Sequence, residues 1–119
     1  MFRVQNKIIH ISRTESGILK VKKKNNELMD EFANTVNVLK VYNVDGLLDG
    51  AIVEIPSSVS TDKKYLEFDL GDFTSLGEDD IEYSNEPVEY WYELIINDKI
   101  ILGYDQSKAK TLILYPAGK

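Results

Sequence analysis

From Val88 to Ile96 every second residue is apolar or aromatic. Val88, Tyr90, Tyr92, Leu94 and Ile96 fall on one side, with Glu89, Trp91, Glu93 and Ile95 between them. A two-residue period puts one set of side chains on a single face only in an extended strand. A helix would scatter the same residues around its circumference. The period returns in Tyr65–Leu70, where Leu66, Phe68 and Leu70 alternate with Glu67 and Asp69. An isolated strand is not stable, so these two segments require a sheet.

The rest of the chain supplies one. Lys7–Ser12 and Gly17–Lys23 read as a hairpin turning around Arg13-Thr14-Glu15-Ser16. Thr35–Asn43 carries apolar residues on both faces, Val36 and Val38 on one and Leu39 and Val41 on the other, as a central strand does. Ala51–Ile55 reads as a strand closed by Pro56. Asn97-Asp98 is a two-residue turn leading into Lys99–Tyr104. Thr111–Tyr115 is a last strand, ending at Pro116. Leu28–Ala33 is too short for an independent helix and reads as loop or a single turn. Gly71–Glu86 reads as the longest loop. About eight strands at this spacing predict an all-β antiparallel sandwich or barrel. There is no internal repeat, no low-complexity tract and no credible domain boundary, so residues 1–119 are expected to form one domain.

Composition narrows the function. The 119 residues carry no cysteine, so neither a disulfide framework nor a thiolate metal site is available. No apolar run approaches the length that spans a bilayer, and Met1–Asn6 is too polar for a secretory signal. The formal net charge of −6 opposes binding to nucleic acid, whose recognition depends on neutralising phosphates. That charge is unevenly spread. Lys20, Lys22, Lys23 and Lys24 form a basic stretch, whereas Glu78, Asp79, Asp80, Glu82, Glu86, Glu89 and Glu93 crowd the later third. Such a subunit can meet a neighbour positive side to negative side.

Catalytic patterns are missing from the sequence. The single histidine, His10, lies between Ile9 and Ile11 and reads as a packed or edge residue rather than a metal ligand or triad base. Asp45-Gly46, Asp49-Gly50 and Glu78-Asp79-Asp80 put carboxylates near turns, but none has the spacing of a calcium loop. No nucleophile elbow and no glycine-rich phosphate loop is present. A non-enzymatic protein without cofactor is therefore expected. Trp91 is its most informative residue, because alternation sets it with Glu89 and Glu93, away from the core face. Exposed aromatic residues anchor interfaces. Candidate contact residues are Trp91, Glu89 and Glu93, the basic Lys22, Lys23 and Lys24, and the terminal Phe2 and Val4. The last two lie in a segment, Met1–Val4, able to add a strand to a neighbour's edge. Pro116–Lys119 is a second candidate arm.

Three stretches carry a resemblance. The opening Asn6-Lys7-Ile8-Ile9-His10-Ile11-Ser12-Arg13-Thr14-Glu15-Ser16-Gly17-Ile18-Leu19-Lys20-Val21 resembles the start of small phage and prophage proteins of low-GC Gram-positive hosts, similar to the N-terminal domain of the siphophage upper baseplate protein. The middle, Leu39–Tyr42 through Phe68–Leu70, fits the same strand order. The close is the most specific: Asn85-Glu86-Pro87-Val88-Glu89-Tyr90-Trp91-Tyr92-Glu93-Leu94, then Ile101-Leu102-Gly103-Tyr104-Asp105, then Leu112-Ile113-Leu114-Tyr115-Pro116-Ala117-Gly118. The chain departs from the pattern at two turns, with Thr14-Glu15 for the usual Gly-Asp and no glycine in Gln106-Ser107-Lys108. The resemblance implies an Ig-like antiparallel β-sandwich and a virion structural role in the tail or baseplate. Its partners would be other virion proteins, in homo-oligomeric or repeated copies, with the protein made in the host bacterial cytoplasm. Head or neck decoration, a host-glycan-binding module and a small acidic inhibitor are the alternatives. No membrane partner is expected.

Overall fold

The computed structural model of the chain describes residues 1–22, 35–44, 50–77, 81, 83–102 and 110–117, with 100–102 and 110 described by backbone alone. Among these lie strands β1 (Phe2–Gln5), β2 (Ile8–Ser12), β3 (Ile18–Val21), β4 (Val38–Asn43), β5 (Val53–Val59) and β6 (Leu66–Asp69). A single helical turn, α1 (Gly71–Thr74), precedes β7 (Val88–Ile96), β8 (Lys99–Leu102) and β9 (Lys110–Tyr115). The all-β expectation holds, and the eight expected strands are joined by β1. Leu28–Ala33 lies outside the described residues.

The strands form one sheet in the order β1-β2-β9-β7-β4-β5-β6-β3, curled into a half-barrel compatible with a β-sandwich. Its longest strand, β7, sits near the middle. It pairs with β4 on one side; on the other, Val88–Tyr92 pairs with β9 and Leu94–Ile96 with β8. Pairing among the described strands is antiparallel except between β2 and β9, which run parallel. The sheet is therefore mixed.

Alternation fixes what the curl encloses. Ile9, Ile11, Leu39, Val41, Ile55, Leu66, Phe68, Tyr90, Tyr92, Leu94, Leu112 and Leu114 all point inward and belong to one buried cluster. The inward face expected for β6 and β7 is therefore the one observed. Each such side chain contributes roughly 1.5 to 3 kcal/mol on leaving water. Leu39 and Val41 are fully buried on β4, which lies between β5 and β7 as a central strand should. Val36 falls before that strand and is exposed.

Three local expectations are corrected. β2 and β3 do not form a hairpin with each other: β2 pairs with β1 and β9, while β3 pairs with β6. The true hairpin is β1–β2, and its turn residues Asn6 and Lys7 have φ of 54° and 66°, the left-handed pair that a tight two-residue turn demands. Asn97 and Asp98 repeat this geometry, with φ of 54° and 66°, at the turn expected there. Next, Pro56 does not end its strand. It stands where β5 passes from β4, paired through Pro56, to β6, paired from Ser57, a corner that tolerates a missing N–H. Finally, the segment read as loop after Gly71 opens with α1, which buries Phe73 and Thr74, and it returns Ile81 to the core. Its burial comes from tertiary packing that short-range periodicity does not reveal.

Candidate functional site

The outer face of the central sheet follows from register. Tyr42 of β4 lies directly opposite Trp91, and Thr111 of β9 flanks it on the other side. One step along, Lys40 is opposite Glu93, and Glu89 is opposite Ile113. Trp91, Glu89 and Glu93 thus share one surface, as alternation requires. Trp91 and Glu93 are half-buried, and Glu89 is exposed. Tyr42 Oη donates to Glu93 Oε1 at 3.5 Å. Burial, with the Glu93 charge as a lesser cause, holds the Tyr42 phenol above its ordinary pKa. Lys40 Nζ reaches Glu54 Oε1 at 3.7 Å, so this basic residue stands between Glu54 and Glu93 on the same face.

On the other side of the sheet, the two edge strands approach each other across the core. Phe2 on β1 packs against Gly17 just before β3 and closes one end of this seam. Further along, the seam opens into a groove of about 560 Å³. Its floor is Val4, Leu19, Val21, Tyr92 and Leu94, and its charged lining residues are Lys7, Lys20 and Lys22. Val4 is 46% exposed although register turns it to the core side, because the half-barrel does not close over it. Tyr92 Oη donates to the Lys7 carbonyl at 2.6 Å, and burial pushes its pKa up to about 12. Lys20 is partly held by Glu67, 3.9 Å away, and lies over the Tyr65 ring.

The structure therefore divides the candidates. Val4 and Lys22 meet at the groove; Trp91, Glu89 and Glu93 meet on the outer face. Phe2 belongs to the seam, and the Met1–Val4 segment is no free arm. β1 is a strand of the chain's own sheet, with the terminal amine bonded to Ser12 Oγ and paired with Glu15. Lys23 and Lys24 lie outside the described residues, as do Asp45, Gly46, Asp49, Glu78, Asp79 and Asp80. Gly118 and Lys119 of the second expected arm do too.

His10 lies on the outer face of β2, inside the sheet between Arg3 of β1 and Ile113 of β9. Its Nδ1 lies 2.8 Å from Tyr115 Oη with the rings stacked, and burial, helped by Arg3, holds its pKa below the ordinary value. Among the described residues no group of three or more His, Asp or Glu is placed to hold a metal ion, and no helix is long and apolar enough to cross a membrane. Sequence reasoning missed one residue altogether. Arg13, read as part of a turn, is buried, with 8% of its surface exposed. Nothing in the local pattern signals this, because its cover comes from Tyr83, distant in sequence. Comparison with protein-family models, curated proteins and solved structures finds no match.

Proposed function

We propose that this chain is a non-enzymatic structural subunit that assembles through protein–protein contacts. The resemblance of its closing segments to phage and prophage proteins supports a tail or baseplate setting for that role. One observation carries the assembly reading: an aromatic, acidic outer face (Trp91, Glu89, Glu93) lies on the opposite side of the sheet from an apolar groove rimmed by Lys7, Lys20 and Lys22. Surfaces of opposite charge on opposite sides suit a head-to-tail contact between repeated copies, since such an interface is heterologous and propagates. The half-buried aromatic supplies affinity, and the charges supply register.

Size-exclusion chromatography with light scattering tests this at low and high salt. The wild-type chain should form a defined oligomer that weakens as salt screens the charges. Trp91→Ala should abolish it while leaving the circular dichroism of the monomer intact. Glu93→Lys and Lys22→Glu should each weaken assembly, and combining them should restore part of it. A monomer at all concentrations, with no co-purification with virion proteins by mass spectrometry, would refute the reading. A change in Trp91 fluorescence with host-wall polysaccharide, without self-association, would favour a glycan-binding module instead.

A further inference from the structure

Away from both surfaces, a pocket of about 460 Å³ is lined by Arg13, Thr14, Tyr83, Ser84, Asn85 and Pro116, with Ala117 at its wall. Arg13 is more than nine-tenths buried, and its Nη1 is sealed from solvent with no hydrogen-bond partner. Among the described residues, no carboxylate pairs with it. The Tyr83 ring lies over its guanidinium, 3.3 Å from ring centroid to Cζ. A face-on ring attracts the cation but accepts none of the in-plane N–H bonds. A buried guanidinium with an orphaned nitrogen is costly, and a ligand that accepted a hydrogen bond from it would remove that cost.

We propose that this pocket is a carboxylate-binding site that receives a carboxylate of a partner polypeptide. The guanidinium fork matches the two oxygens of a carboxylate edge to edge. Its stack on Tyr83 fixes the plane in which those bonds form. One positive charge balances one carboxylate; a phosphate dianion would leave a surplus negative charge on a chain already at −6. Thr14, Ser84 and Asn85, which also line the pocket, bring neutral polar groups to it. Ser84 Oγ accepts from the Glu86 N–H at 3.0 Å, so its own proton remains available. Tyr83 is half-exposed and anchored by a long 3.4 Å bond from Oη to the Leu76 carbonyl.

The test titrates the intact protein with four probes at constant ionic strength, following the Arg13 Nε–H and Tyr83 ring resonances by NMR. The probes are acetyl-Ala-Ala-Ala with a free C-terminus, acetyl-Ala-Glu-Ala-amide, acetyl-Ala-Ala-Ala-amide and inorganic phosphate. At least one carboxylate peptide should bind roughly tenfold more tightly than the neutral amide, shifting both resonances. Which of the two wins tells a terminal from a side-chain carboxylate. Arg13→Gln should abolish the difference. If that variant does not fold, Ala117→Trp, a change at an exposed wall position, should block entry with Arg13 intact. Equal binding of the neutral peptide, tighter binding of phosphate, survival of binding in Ala117→Trp, or no response to either carboxylate peptide would overturn the proposal.

Discussion

Phe2 lies so close to Gly17 that a β-carbon at position 17 would fall 2.4 Å from Phe2 Cγ. The contact joins the two edge strands of the curled sheet and depends on the absence of a side chain at one residue. Gly17→Ala should therefore cost about 1 to 3 kcal/mol, the usual penalty of overpacking at a site that cannot give way near the ring's root. Phe2→Ala should lose its own packing but make room for the new methyl group. Urea denaturation of the two single variants and the double variant checks this. The double variant should be more stable than the sum of the singles predicts; strict additivity would mean the seam is not closed by this pair.

The strand framework was legible because it is written in a two-residue period, and a one-residue slip would expose Tyr90, Tyr92 and Leu94 together. Pairing was less legible. Nothing in Ile8–Ser12 says that it will lie parallel to Lys110–Tyr115 rather than beside Ile18–Val21, since both choices bury Ile9 and Ile11. The Asn6-Lys7 turn held the decisive signal, for asparagine accepts positive φ more readily than most residues. Of the candidate site, Trp91 with its two glutamates followed from alternation alone. The meeting of Val4 with Lys22 did not, because it arises from the curl of the whole sheet. Arg13 was invisible for the same reason.

Phe73 shows what the loop reading concealed. It is fully buried and meets Tyr90 edge to face, with ring centroids 5.2 Å apart and planes at 78°. Phe73→Ala should cost about 3 to 5 kcal/mol, as for a core aromatic residue, whereas a loop residue would cost almost nothing. Thermal melts distinguish the two outcomes directly.

His10 should make the fold slightly sensitive to acid. Its folded pKa lies below the ordinary 6.5, first through burial and then through Arg3. Below that ordinary value the unfolded chain binds the proton more readily, so stability is lost as pH falls from about 6.5 toward the folded pKa. An NMR titration should find the His10 ring titrating below a model histidine. Arg3→Gln should recover only the smaller part of the shift, since desolvation remains. A ring that titrates at the model value would remove the acid sensitivity.

Tyr92 should do the opposite at alkaline pH. Its hydroxyl is a donor to the Lys7 carbonyl, and its folded pKa of about 12 stands above the ordinary 10. The neutral phenol is favoured in the fold, so its contribution is present in full below pH 10 and is lost as pH rises toward 12. At about pH 11 the loss is roughly 1 kcal/mol, rising toward 2 to 3 kcal/mol above pH 12. Tyr92→Phe leaves the Lys7 carbonyl without its donor and should cost about 1 kcal/mol at neutral pH, yet it has no proton to lose. The stability curves of wild type and variant should therefore cross near pH 11. Parallel curves from pH 7 to pH 12, or an absorbance titration at 295 nm in which every tyrosine ionises near pH 10, would show that this ring is not held neutral at the base of the groove.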